Sequence, residues 1–444
     1  MAKNNSPRSS KSWKQFLNQL RWLVPGIGIK RWIVLILMGT TLLGVGLAII
    51  VLEVYRTAPD TWWLPVLSFA SLRILSRPLR FLIFGGIGAG LILTGIWGLN
   101  RALLAPYRRT GKTVIDDLAE HRKRDRGPRI VSIGGGHGLS TLLRGLKIYS
   151  YNITAVVTVA DDGGSSGRLR RSQGIPPPGD IRNCLAALSN DEALMTQLFQ
   201  YRFSEGNPEL DGHPFGNLFI SALSEITGSF EEAVVESGRV LAVQGRVLPA
   251  TLHNVRLLAD IQLPQSNGEV RIEGESIIPK FPGDIQRVWL EPSNPAAYPL
   301  VIQAILASDI IVIGPGSLFT SILPNLLVPD IVAAIRASRA LKLYICNVAT
   351  QFGETEGYSC EQHIKVITEH VGESIFDIVI VNNQFEGELS PGIEWVRTIP
   401  GTESVYPFYS ADLIDNIQPW RHDSTKLAKV IMDLYQERTG PLVE

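Results

Sequence analysis

RIVSIGGGHGLS, residues 129–140, is an apolar run that ends in a glycine cluster and continues as a helical pattern up to Leu146. Four to five β-branched and apolar residues bounded by glycine read as a buried strand, and the spacing of Leu139, Leu142, Leu143 and Leu146 reads as a helix face. Glycines between the two let the backbone approach a ligand closely, and the first amides of the helix can point at phosphate oxygens. The same strand-then-helix grammar recurs downstream. Strands are expected at 152–159, 310–313, 341–348 and 375–381, and helices at 181–188, 193–201, 217–226, 230–243, 298–306 and 424–437. Such alternation implies an α/β fold, a mostly parallel Rossmann-like sheet with helices on both faces. Residues 256–262, 269–272 and 287–290 alternate differently and suggest a locally antiparallel or inserted region.

Ahead of this domain the composition changes. Residues 1–129 carry 20 Lys/Arg against 6 Asp/Glu, leaving 22 and 36 in the remainder of a chain whose totals are 42 and 42. Two stretches, 32–52 and 81–99, contain no charged residue over 21 and 19 positions, enough for a helix to cross about 30 Å of hydrocarbon. They are expected as a transmembrane hairpin, preceded by a basic tail at 1–31 and followed by a charged linker at 100–128, helical in part. Lys and Arg crowd both outer flanks, while the short connection holds Arg56, Arg73, Arg77 and Arg80. The positive-inside rule then places both termini, and the domain at 129–444, on the cytoplasmic side of the membrane. A secretory signal fits less well, because no small-residue cleavage pattern follows and a second span would remain.

Composition excludes several classes. Three cysteines without C-x-x-C spacing give neither a disulfide framework nor a zinc site, and Cys184 and Cys346 sit in apolar settings that suit a core. After residue 130 no basic stripe with interleaved aromatics appears, so nucleic acid is not an expected partner. The glycine loop is not the dinucleotide fingerprint, since Leu139 stands where its third glycine belongs, and no G-K-[ST] element completes a P-loop.

Further glycine-rich segments supply candidate binding residues. Gly134, Gly135, Gly136, His137 and Gly138 form the first loop; Gly314, Gly316, Ser317 and Thr320 form a second, after the strand at 310–313, with Ser317 and Thr320 hydroxyls placed to assist a diphosphate. Asp161 and Asp162 end an apolar strand on a glycine-rich loop, where adjacent carboxylates suit Mg²⁺ or ribose hydroxyls, and equally suit an ordinary Asp-Gly turn. In Pro178-Gly179-Asp180-Ile181-Arg182-Asn183, Asp180 reads as a helix cap or a site residue. Asn217, after Gly212-His213-Pro214-Phe215-Gly216, can hydrogen-bond a base or sugar, or cap a helix. Arg421 can reach a phosphate or pair with Asp423.

GGGHGLS, VTVADDGGSSGRLR, PPGDIRN, GHPFGNL, GPGSLFTSILPNLLV and CNVATQFGET, in this order over residues 129–437, resemble the gluconeogenesis-factor family. That family is similar in fold to 2-phospho-L-lactate transferase, which joins a phospholactate unit from a nucleotide-activated donor to a deazaflavin precursor with Mg²⁺. The resemblance implies a protein that binds UDP-sugars such as UDP-N-acetylglucosamine and is needed for cell shape and for growth on gluconeogenic carbon sources, with no catalysed reaction implied. It also implies that Gly134–Gly138 and Gly314–Ser317 bracket the diphosphate, that Asp161 and Asp162 lie near metal or sugar, and that Asn183 and Asn217 line the cleft. No cofactor is required for such binding, though Mg²⁺ fits the carboxylate pair, and a homo-oligomer is left open. The alternative is a Mg²⁺-dependent phosphotransferase of the 2-phospho-L-lactate transferase kind.

Overall fold

The computed structural model describes residues 124–439, apart from 190–191, 204–209, 211, 265–267, 373 and 403–406, together with scattered positions between 37 and 94. The chain divides into two compact units, Met1–Arg122 and Lys123–Glu444. Most of the expected spans at 32–52 and 81–99 and nearly all of the linker lie outside the described residues. Of the scattered positions, Leu37, Met38, Phe69, Ile87 and Leu93 are helical and expose their apolar side chains. Among the described residues no single helix is long and apolar enough to cross a membrane. The bent pair Leu318–Leu326 and Pro329–Ala337, which passes together by length and composition, belongs to the core of the second unit.

The second unit is built on a parallel sheet of seven strands: β1 (Ile130–Gly134), β2 (Ile153–Val157), β3 (Arg246–Pro249), β7 (Ile310–Ile313), β8 (Leu341–Ile345), β9 (Ile378–Asn382) and β10 (Phe408–Ala411), in the order β10-β9-β8-β7-β1-β2-β3. Between β3 and β7 an antiparallel sheet is inserted, β4 (Arg256–Gln262), β5 (Glu269–Glu273) and β6 (Asp284–Glu291), in the order β5-β4-β6. Parallel strands buried on both faces need two apolar sides, and the side-chain period of two delivers them. Val131, Ile133, Ile311 and Ile313 face one core, with Ile130, Val312, Leu343 and Ile345 facing the other. The second core is covered by α1 (Gly136–Leu146), α3 (Gly179–Leu188), α6 (Phe230–Val240) and α11 (Ser424–Thr439). The first is covered by α7 (Pro299–Ala307), α8 (Leu323–Leu326), α9 (Pro329–Ala337), α10 (Cys360–Val371) and the inserted sheet. Cys184 and Cys346 are buried, as expected, and so is Cys360.

From β1 the chain progresses through β2 and β3 toward one edge, whereas β7 returns to the other side of β1 and the chain continues outward through β8 to β10. The direction of winding therefore reverses between β1 and β7. In such sheets a crevice opens beyond the carboxyl ends of the two strands that flank the reversal.

Several elements correct the expectations. Residues 161–168, expected as a loop, turn at Gly164 into helix α2 (Gly164–Gln173). Its sequence carries no apolar stripe; what holds it is the buried Arg170, whose Nε donates to Asn254 (2.8 Å) and whose guanidinium also reaches the Val255 carbonyl in the inserted region. Helices α9 and α10 were not expected, although Pro329 at the start of one and the Ser359–Gln362 capping box of the other are local start signals. The edge strands β3 and β10 are four residues long, too short to show a period. Helices α4 (Glu192–Gln200) and α5 (Phe215–Thr227) follow α3 in the chain.

Candidate functional site

The glycine turns after β1 and β7 meet at this reversal. Gly136 opens α1 with φ +61°, a backbone conformation that a side chain disfavours. A Cβ on Gly138 would lie 2.5 Å from the Pro315 carbonyl oxygen, so the two turns approach backbone to backbone and only glycine permits it. Gly314 donates its amide to Ile133 (2.9 Å) at the base of the crevice, with the Gly314–Pro315 peptide cis. Together they floor a cavity of about 640 Å³, in whose wall stand Gly135, Gly136, His137, Gly138, Asp161, Gly316, Ser317, Thr320 and Arg421.

The second turn is held from beneath. Glu354, 4% exposed, accepts from the Phe319 amide (3.2 Å), the Thr320 hydroxyl (2.9 Å) and the Gln351 amide (3.0 Å). Burial raises its pKa to about 7, against the opposing pull of the Thr320 and backbone donors. Ser317 donates to Gln351 (2.6 Å), while Asn347 accepts from the Gly316 amide (3.4 Å) and donates to its carbonyl (2.9 Å). The hydroxyls of Ser317 and Thr320, expected to assist a diphosphate, are thus spent on shaping the turn.

On the other side carboxylates gather. One oxygen each from Asp161, Asp162 and Glu275 lie within 4.8 Å of one another. Glu275 comes from the loop after β5, which is fastened to the main sheet where the Ser276 amide donates to Asp162 (3.0 Å). Burial first, then the charges of Asp161 and Asp180, lift the Glu275 pKa to about 8. Asp180, at the second position of α3, does not cap that helix; it accepts from the Gly136 amide across the crevice, and burial raises its pKa to about 6. His137 has the opposite surroundings. Desolvation and then the charges of Arg421, Arg182 and Arg144 lower its pKa, which favours the neutral imidazole.

Not every expected residue faces the cavity. Gly134 and Gly314 close their strands beneath it, and Asp162 is turned toward Ser276. Asn183 and Asn217 instead secure the buried Arg182, accepting from its Nη2 (2.9 Å) and Nη1 (3.1 Å); Asn217 also donates to Ser165 (3.0 Å), which pairs with His213 (2.8 Å). Sequence reasoning passed over Glu275, Asn347, Gln351, Glu354, Trp420 and His422. Asn347 to Glu354 lie in a segment quoted for its resemblance, whereas Glu275 sits in an insertion with no motif to mark it.

Comparison with known proteins agrees with this architecture. Residues 130–394 match the family model described as 2-phospho-L-lactate transferase CofD. A Nostoc protein bearing the gluconeogenesis-factor name is 47% identical over 437 residues, covering 94% of this chain and 92% of its own. The Bacillus subtilis gluconeogenesis factor is 46% identical over 319 residues, 70% of this chain and 99% of its own length. A crystal structure of a UPF0052-family protein from Bacillus halodurans superposes with a TM-score of 0.64 at 42% identity, over 69% of this chain and 99% of that one. By this family model and these relatives, the chain belongs to the CofD-related gluconeogenesis factor family.

Proposed function

We propose that this protein binds a nucleotide sugar, UDP-N-acetylglucosamine being the expected example, and acts as a membrane-tethered regulator needed for cell shape and for growth on gluconeogenic carbon sources. The observation that carries the binding half is the meeting of two glycine turns at the sheet's switch point, with Arg421 in the cavity wall beside His137. A diphosphate lies on the turns in this reading, with Arg421 as its counter-charge. The regulatory half is supported by the name its relatives bear. For the tether the support is the hydropathy of residues 32–52 and 81–99; the Nostoc relative, matching 94% of this chain, extends into that region.

Asp161, Asp162 and Glu275 fit a small hard cation, being three oxygen donors with no His or Cys among them. They would hold Mg²⁺, whose charge would neutralise phosphate oxygens. This acidic cluster is also what favours the alternative reading, a phosphotransferase of the CofD kind, in which the same carboxylates orient a nucleotide-linked phosphoester.

Isothermal titration of the full-length protein with UDP-N-acetylglucosamine, with and without Mg²⁺, followed by analysis of the recovered nucleotide, separates the two. Binding with the ligand recovered intact supports the regulator. Mg²⁺-dependent consumption supports the transferase, and a flat titration counts against both.

A further inference from the structure

The cavity has an aromatic mouth that the diphosphate reading leaves unused. Phe352 is 70% exposed and Trp420 37%, both line the same cavity, and neither ring stacks on another among the described residues. Phe352 is nevertheless carried on a firmly held turn. Gln351 before it is bound through its side chain to Ser317 and Glu354, and through its amide to Thr355 (3.0 Å). Gly353 after it, at φ +76°, packs so closely on the Pro279 carbonyl that a Cβ would overlap it. A fixed backbone that presents a bare phenyl ring is arranged for contact, because the ordering cost is met before a ligand arrives. Trp420 directly precedes Arg421, whose charge reaches His137 at the first glycine turn.

The neighbour on the other side is His422, 9% exposed and in the cavity wall. Both its ring nitrogens are buried without a hydrogen-bond partner, and among the described residues it is the cavity's only lining side chain in that condition. Burial lowers its pKa to about 4, so the ring is neutral. Neither nitrogen reaches the cavity surface, so this ring is a neutral wall behind Trp420.

We infer that Phe352 and Trp420 form a stacking subsite for the planar ring of a nucleoside diphosphate. This rests on the proposed diphosphate site. Every nucleobase has a π face, so the two aromatic residues favour a nucleotide over a bare polyphosphate.

Full-length wild type and variants are titrated with uridine diphosphate and, separately, inorganic pyrophosphate. Phe352→Ala and Trp420→Ala are expected to weaken uridine diphosphate by about tenfold or more. Pyrophosphate affinity should stay unchanged in both. Phe352→Tyr and Trp420→Phe should retain nucleotide affinity. Unchanged nucleotide affinity in the alanine variants, or an equal loss for both probes, overturns the subsite. A wild-type protein that binds pyrophosphate as tightly as the nucleotide overturns the ring subsite and leaves the diphosphate site standing; one that binds neither overturns both.

Discussion

Gly136 and Gly138 stand two residues apart in one turn, yet their substitution by alanine should differ sharply. At Gly136 the added methyl meets nothing closer than the Ser321 hydroxyl at 3.9 Å, so the cost is confined to backbone strain at φ +61°, about 1 kcal/mol. At Gly138 the methyl is driven into the Pro315 carbonyl, and the two turns must part. Gly138→Ala is expected to lower stability by about 1–3 kcal/mol and to abolish nucleotide binding, with Gly136→Ala retaining most of both; chemical denaturation and titration calorimetry decide. Glu354 makes a pH-dependent claim. Its pKa rises from an ordinary 4.5 to about 7 on folding, so its favourable contribution is full below the lower value and is lost as pH rises through the upper one. Melting temperature should therefore fall between pH 6 and pH 8 by more in wild type than in Glu354→Gln, and parallel curves for the two proteins would remove Glu354 as the cause.

Among the elements, the inserted sheet contributes most to the site for the least sequence signal. Its loop after β5 brings Glu275 to Asp161 and Asp162, and is fastened by a hydrogen bond from the Ser276 amide to Asp162. If the three carboxylates act together, Glu275→Gln and Asp161→Asn should each abolish most of the thermal stabilisation that Mg²⁺ gives the wild-type protein, because one ligand fewer leaves the other two a poor cage. A full Mg²⁺ response in Glu275→Gln removes the insertion from the site. Helix α3 plays a different part. It presents Asp180 to the Gly136 amide and Arg182 to Asn183 and Asn217, so it braces the first glycine turn from behind. Truncation at Asn217 leaves a buried guanidinium short of a partner and is expected to cost about 1–3 kcal/mol in denaturant melts.

For the whole molecule, the decisive test concerns the first unit. Alkaline carbonate extraction of membranes should leave the full-length protein in the pellet, and release into the supernatant would count against two integral spans. The α/β character of the second unit was legible from residue 129 onward, because buried parallel strands must be apolar on both faces and such runs are hard to disguise: 310–313 was read with its observed ends. So were the two glycine turns that follow β1 and β7, since a tight turn and a close backbone approach need residues without Cβ. Local sequence could not show that α2 is a helix, because the buried Arg170 and its partners across the inserted region hold it. Nor could it show that Ser317 and Thr320 spend their hydroxyls on Gln351 and Glu354, or that Glu275 and His422 reach the cavity. Residue type and spacing determine which segments become strands, turns and helices, since those choices rest on backbone geometry and local burial. Which side chain meets which across the crevice depends on the order of strands about β1, and that is decided only when segments far apart in the chain are brought into one sheet.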